Sequence, residues 1–397
     1  MNLPYLTANQ PGIGGQLKTE PEDFLVEEMP LYQPSGEGQH VYAELEKRGL
    51  STYVAVKKIA RALKIPPVAI GYAGLKDAQA VTRQTISISN VTEQAVKSLN
   101  LPNIKILTIN RHRNKLKVGH LAGNRFVIRV RQVNREALPI AQAVLVTLQE
   151  KGTLNYFGEQ RFGKRNNTQR LGEMLVRKNA AEFVAEYLGR SIPLDSDHIQ
   201  TARRLVDEGQ WAEALARWPG NLPDERRALQ SIVDAGGRPE VVFRTLDKKL
   251  KSLFVSAYQA VLFNQLLVQR LDTMDRLEDG DVAYIHGKGA SFVVDDAALE
   301  QPRADRFEIS PSGPLFGPKM LVATGEPGQR ERVLLDDQGL TSDDFKVPGL
   351  KVRGGRRPYR IKVRQAKAWW DDGLMVSFEL EPGAYATTVM AEIMKKR

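Results

Sequence analysis

Gly71-Tyr72-Ala73-Gly74-Leu75-Lys76-Asp77-Ala78-Gln79-Ala80-Val81-Thr82-Arg83-Gln84 joins a glycine-punctuated loop to the start of a strand. The loop delivers Lys76 and Asp77 just before the alternating run Gln84 to Ile88, which holds a short acid at a rigid edge beside cations. A nucleophile or base requires such a setting. A turn aspartate that satisfies neighbouring backbone amides shows the same local pattern and is commoner in general.

Around this stretch the amino-terminal region mixes short strands with helices. Val41 to Leu45 and Phe126 to Val130 alternate as half-buried strands. Between the first of these and the Asp77 loop, the pattern predicts a helix capped by Ser51, with Val56, Ile59, Ala60 and Leu63 on one face and Pro66-Pro67 as its stop. A second helix is expected over Leu138 to Gln149. From about 165 to 272 helical spacing dominates, most clearly from Asp247 to Leu271. Glycine and proline punctuation then predicts short strands and turns. The end reads as an antiparallel pair, Ile361 to Gln365 and Leu374 to Leu380, around the turn Asp371-Asp372-Gly373, followed by a helix from Ala386 to Lys395. This texture predicts an α+β protein whose mixed domain is interrupted by a helix-rich insertion.

Composition narrows the function. The 397 residues exceed what one core usually organises, so two domains are expected. Cysteine is absent, which excludes disulfides, thiolate catalysis and cysteine-bound metal. Neither a span of eighteen apolar residues nor a signal-peptide pattern occurs, so a cytoplasmic location is expected and no membrane contact. The net charge is +10, and the cations cluster. From Lys346 to Arg364 eight lysines and arginines occur without one acid, as on a phosphate-binding surface. Scattered solubilising charge is the blander explanation.

Several cofactor motifs fail. Gly158 to Lys164 has P-loop spacing, but Arg165 stands where a Ser or Thr would bind magnesium. Gly12-Ile13-Gly14-Gly15 follows no convincing strand, and the five histidines lack metal-ligand spacing. Chemistry must then come from ordinary side chains, and no cofactor is expected. Asn155-Tyr156-Phe157-Gly158-Glu159-Gln160-Arg161-Phe162-Gly163 interleaves aromatics, amides and arginine, the means of holding an unpaired nucleotide. Aromatic contacts at a domain junction would leave the same pattern.

These segments together resemble the TruD family of RNA pseudouridine synthases. The resemblance rests on Lys18-Thr19-Glu20-Pro21-Glu22-Asp23-Phe24-Leu25-Val26-Glu27-Glu28, the stretch around Asp77 and the run Asn155 to Gly163. It extends through Ser256-Ala257-Tyr258-Gln259-Ala260-Val261-Leu262-Phe263-Asn264 to Gly383-Ala384-Tyr385-Ala386-Thr387-Thr388-Val389. They stand in family order across nearly the whole chain.

The resemblance implies a catalytic domain with a central antiparallel sheet over 1–164 and 350–397, and an insertion domain over 165–349. It implies isomerisation of uridine to pseudouridine, characteristically at position 13 of transfer RNA, with no cofactor and no obligatory protein partner. Asp77 falls on the family's catalytic aspartate. By the same matching, Phe157 should stack on the target uracil, Asn155 should position the site, and Phe24 and Tyr385 should form aromatic walls. Tyrosine is rarer than phenylalanine at the second of these. Lys18 should lie near Asp77 or a phosphate, and Lys76 and Arg161 should contact phosphate. Two rivals use the same surface: another RNA modification such as methylation, which needs a donor site, and a non-catalytic RNA-binding factor.

Overall fold

The alternating runs from both ends of the chain meet in one sheet. The computed structural model describes residues 3–163 and 165–396; Lys164, the last residue of the P-loop-like match and of the expected first catalytic segment, lies outside the described residues. The chain divides into two units, Pro4–Asn155 with Ile361–Arg397, and Tyr156–Arg360.

In the first unit, β1 (Phe24–Pro30), β2 (His40–Arg48), β3 (Ile70–Tyr72), β4 (Val81–Ser89), β5 (Ile104–His112) and β6 (Leu121–Val130) join the strands Arg364–Trp370 and Leu374–Leu380 in an eight-stranded sheet. Among the described residues each pairing in it is antiparallel except one: β1 and β4 run parallel, with Leu25 opposite Val81. β1 pairs with the start of β4 and β3 with its end, where Ile70 faces Ile88. The connection 73–80 must therefore double back to reach Val81 beside the first residues of β1. That connection carries Asp77.

Helix α1 (Thr52–Ala62) starts where expected, with the Ser51 hydroxyl accepting the Val54 N–H at 3.3 Å. Its Val56, Ile59 and Ala60 pack against Val41, Leu45, Ile86 and Ile88. The helices Ala137–Lys151 and Ala386–Met394 bury Val144, Leu148, Val389 and Ile393 in a second cluster with Phe126, Ile128, Val376 and Phe378. Each such side chain contributes about 1.5–3 kcal/mol on burial, which holds the sheet rigid beneath the loops. The last hairpin differs from expectation in its first strand, which is Arg364–Trp370 rather than Ile361–Gln365. Trp370 pairs with Leu374 directly across the turn, so the partner strand must run up to it, with Ala366, Ala368 and Trp370 against the core.

The second unit is built on the helix Lys248–Gln269, capped by Asp247, whose carboxylate accepts the Lys249 N–H at 2.7 Å. The helix Thr168–Val176 comes so close at Gly172 that a Cβ there would lie 2.0 Å from the Phe254 carbonyl oxygen. Gly172→Ala is expected to destabilise the protein by about 1–3 kcal/mol through overpacking, read as a lower thermal unfolding midpoint. Beyond 272, short strands do form, but the helices Ala297–Asp305 and Gly325–Asp337 were not expected. Gly325, Pro327 and Gly328 all fall in the first turn of the latter, where proline loses no helical hydrogen bond.

The two compact units meet along the chain at 155/156 and 360/361. Phe157 is tied to Asn264 by two hydrogen bonds, and Gly355–Pro358 pairs with Ser312–Leu315, so both flanking segments go with the helix-rich unit. Among the described residues no helix is long and apolar enough to cross a membrane.

Candidate active site

The Asp77 loop is fixed through its backbone. The hydroxyl of Thr52, the first residue of α1, accepts the Lys76 N–H at 2.9 Å and donates to the Gln84 side-chain oxygen Oε1 at 2.9 Å. The Gln84 amide in turn donates to the Gly74 carbonyl at 3.4 Å. The ammonium of Lys47, on β2, donates to the Asp77 carbonyl at 2.9 Å and also to the Leu50 carbonyl. Lys47 is wholly buried, and burial lowers its pKa from 10.5 to about 8 against the opposing pull of Asp77. Gly71, at the root of the loop, admits no side chain, because a Cβ would lie 2.2 Å from the Leu116 carbonyl oxygen.

With its backbone held, Asp77 presents its carboxylate outward, 44% exposed, and forms an ion pair with Lys18 at 2.9 Å. Lys18 adopts a left-handed backbone, φ 55, which costs a non-glycine residue of order 1–3 kcal/mol and needs support on both sides. Support comes from the Gln16–Arg131 backbone bridge, with bonds of 2.9 and 3.0 Å, and from the turn Pro21–Asp23. Asp23 is buried, and burial alone would raise its pKa, but the Arg131 guanidinium at 2.8 Å and the Glu20 N–H hold it below the usual value. The Lys18 ammonium also lies 4.3 Å from the centre of the Phe24 ring.

Lys76 and Phe24 are both buried. Lys76 does not reach out to a phosphate: its buried ammonium pairs with the buried Glu28 carboxylate at 2.6 Å. Phe24 is 1% exposed, packed edge-on to Phe126 with Lys18 over its ring, so it supports the lysine rather than forming an open wall. Asn155 is buried at the end of the same unit. Tyr385 is half-buried and caps the last helix, its carbonyl accepting the Thr388 N–H and hydroxyl at 3.1 and 2.7 Å.

Phe157 and Arg161 belong to the helix-rich unit. Asn264 brackets Phe157, accepting its N–H at 2.9 Å and donating to its carbonyl at 3.0 Å. Two of the quoted segments, 107 positions apart, are thus joined. The Phe157 ring is 8% exposed, edge-on to Phe263 at 5.6 Å. The Arg357 guanidinium lies 4.1 Å from its centroid and that of Arg161 5.7 Å. A planar cation at 4.1 Å covers a face of the ring.

The supporting residues Lys47, Thr52, Gln84, Glu28, Asn264 and Arg357 were missed in the sequence. One signal was available: Val41, Ala43, Leu45 and Lys47 share the inward face of β2, and Thr82, Gln84, Ile86 and Ile88 that of β4. A lysine and a glutamine at apolar-face positions near one loop mark a buried polar anchor. Glu28 stands in a quoted segment and Arg357 in the basic run, but nothing in the sequence pointed to Lys76 or Phe157 as their partners.

This constellation, an exposed carboxylate paired to a lysine on the loop leading into an interior strand of a mixed sheet, defines a cation-flanked acid site suited to nucleophilic or base chemistry. The family model for tRNA pseudouridine synthase D (TruD) matches residues 1–393. A tRNA pseudouridine synthase D of Syntrophotalea carbinolica is 46% identical over 393 residues, covering 98% of each chain. That of Geobacter metallireducens is 44% identical, covering 98% of this chain and 97% of the relative. A solved structure described as tRNA pseudouridine synthase D (TruD) of Methanosarcina mazei superposes with a TM-score of 0.88 at 27% identity, covering 100% of this chain and 99% of the other. The chain belongs to the TruD family.

Proposed function

We propose that this protein is an isomerase that converts uridine to pseudouridine in transfer RNA, at position 13 by family resemblance, with Asp77 as the catalytic group. The reading is carried by the Asp77 carboxylate, exposed and paired to Lys18 at 2.9 Å on a loop fixed through its backbone. The bond from C1′ to N1 breaks, the uracil turns, C1′ bonds to C5, the C5 proton leaves to water, and N1 takes up a proton from water. One proton leaves and one returns, so substrate and product are isomers. Breaking the glycosidic bond places positive charge on C1′, as in glycoside cleavage. Asp77 either attacks C1′ or removes the C2′ proton to give a glycal; both routes need a fixed carboxylate beside the sugar.

In this account the sheet-bearing unit is the catalytic domain, Tyr156–Arg360 is the insertion, and the protein works in the cytoplasm. Phe157 stacks on the target base, Asn155 positions it, Tyr385 walls the site, and Arg161 contacts phosphate. Lys18, backed by Phe24, orients the Asp77 carboxylate. Phe157→Leu keeps apolar bulk beside Phe263 but removes the stacking face. It is expected to weaken capture of the target base by up to about 1–3 kcal/mol with little change in unfolding temperature, measured as a raised half-saturation for transfer RNA. The reading itself is tested by treating an unmodified transfer RNA transcript with the protein and mapping pseudouridine by carbodiimide adducts and primer-extension stops. A new stop at position 13 supports it; methylated bases, or no stop despite binding, would favour the rivals.

A further inference from the structure

The segment Ser256–Asn264 is only half accounted for by Phe157. Phe263 and Asn264 serve that ring, but Ser252, Val255, Ser256 and Gln259, at helical spacing on the same helix, line a separate open pocket of about 270 Å³. Its opposite wall is 350–355, from the acid-free basic run, with Leu315 on the neighbouring strand. None of the lining residues is acidic.

The structure sorts the basic run by task. Lys346 pairs with Asp343 at 2.8 Å, and the buried Arg356 with Glu331 at 2.7 Å. Arg357 lies over Phe157, and Arg360 is buried. Lys351 and Arg353 remain exposed on the pocket wall with no ion pair among the described residues. The wall beneath them is held in place. The Arg353 carbonyl accepts the Lys319 N–H at 2.8 Å, and a Cβ on Gly317 would lie 2.4 Å from the Gly354 nitrogen. Facing them, Gln259 is 8% exposed, and its amide nitrogen donates to the Phe316 carbonyl at 2.6 Å. That bond commits the amide nitrogen, so the oxygen is the acceptor this lining residue keeps.

An anion-attracting mouth, a small apolar patch and one oriented acceptor match a single nucleotide. A volume of about 270 Å³ is just under the about 300–1,000 Å³ of sites for larger ligands. We propose that this pocket is a second RNA subsite, resting on the transfer RNA reading above. It takes one unpaired nucleotide of the substrate, with the phosphate between Lys351 and Arg353, the base against Val255 and Leu315, and a base N–H donated to the Gln259 oxygen. With no aromatic side chain in its wall, it holds this nucleotide by charge and edge contacts rather than by stacking.

The test is the salt dependence of transfer RNA affinity for wild type and the Lys351→Ala/Arg353→Ala double variant. Each phosphate neutralised contributes about 0.7–0.9 to the slope of log affinity against log salt, so losing the one phosphate held here should make the variant's slope shallower by roughly 0.7–0.9. Its kcat at saturating RNA should match wild type. Gly355→Leu supplies a steric arm, because a side chain there meets no atom within 4 Å and projects into open space. It should weaken RNA binding about tenfold, or ~1.4 kcal/mol, without lowering the unfolding temperature. A wild-type slope in the double variant would overturn the subsite while leaving the synthase reading intact. So would loss of free uridine monophosphate binding alone, which would make this a mononucleotide site. Wild-type protein that neither binds nor modifies transfer RNA would sink both.

Discussion

Asp77→Asn is expected to lower pseudouridine formation by at least ~10⁴-fold, the scale of loss when a group acting as nucleophile or base is removed. The variant separates chemistry from structure unusually well. The loop is anchored by the Gly74 carbonyl, the Lys76 N–H and the Asp77 carbonyl, none of which the substitution touches. The side chain that changes is 44% exposed and loses one ion pair, with Lys18. Exposed pairs of this kind contribute about 0–1 kcal/mol, so the unfolding temperature should barely move. Affinity for transfer RNA should stay within ~2-fold, because phosphate contacts dominate binding. Single-turnover rates at saturating enzyme give the comparison; a variant within tenfold of wild type would place the chemistry elsewhere.

Lys47→Met is expected to lower kcat by about 10²-fold, the order of loss from a misplacement near 1 Å, with KM little changed. Methionine has comparable length but no donors, so the Leu50 and Asp77 carbonyls lose their partner. Each buried acceptor left unmade costs about 1–3 kcal/mol, offset in part because an ammonium no longer has to be buried. The loop that carries Asp77 should therefore loosen while the sheet stays folded. The lysine also leaves a mark on stability against pH. Burial lowers its pKa from 10.5 to about 8, so between these values the unfolded chain holds a proton that the folded one has released. This residue's contribution to stability then rises with pH across that window, and is at its least favourable below it. Lys47→Met should remove that component from unfolding curves collected between pH 8 and 10. Wild-type kcat in the variant would mean that Thr52 and Gln84 suffice to hold the loop.

How much of this was legible beforehand depends on the kind of signal. Strand alternation located β2 and β4, Ser51 marked the start of α1, and Asp247 stands at the cap of the long helix. Periodicity reports which face is buried, and those faces are regular. It failed at Gly325–Asp337, where glycine and proline in the first turn hid a helix. It also failed on the parallel β1–β4 pair, because pairing direction leaves no trace in local pattern. In the site, Lys18 and Asp77 pair at 2.9 Å. The burial of Lys76 did not follow from sequence, since its partner Glu28 is 48 positions away and emerges only from the sheet register. The same limit applies to Arg357, which reaches Phe157 across 200 positions.

The most direct test uses transfer RNA carrying tritium at C5 of uridine, incubated with wild-type and Asp77→Asn protein without added cofactor. Joining C1′ to C5 must expel that hydrogen. Tritium release by wild type, close to one equivalent per RNA and absent from the variant, is the expected result. Equal release by both proteins, or none from wild type that binds the RNA tightly, would contradict the assignment of this reaction to Asp77.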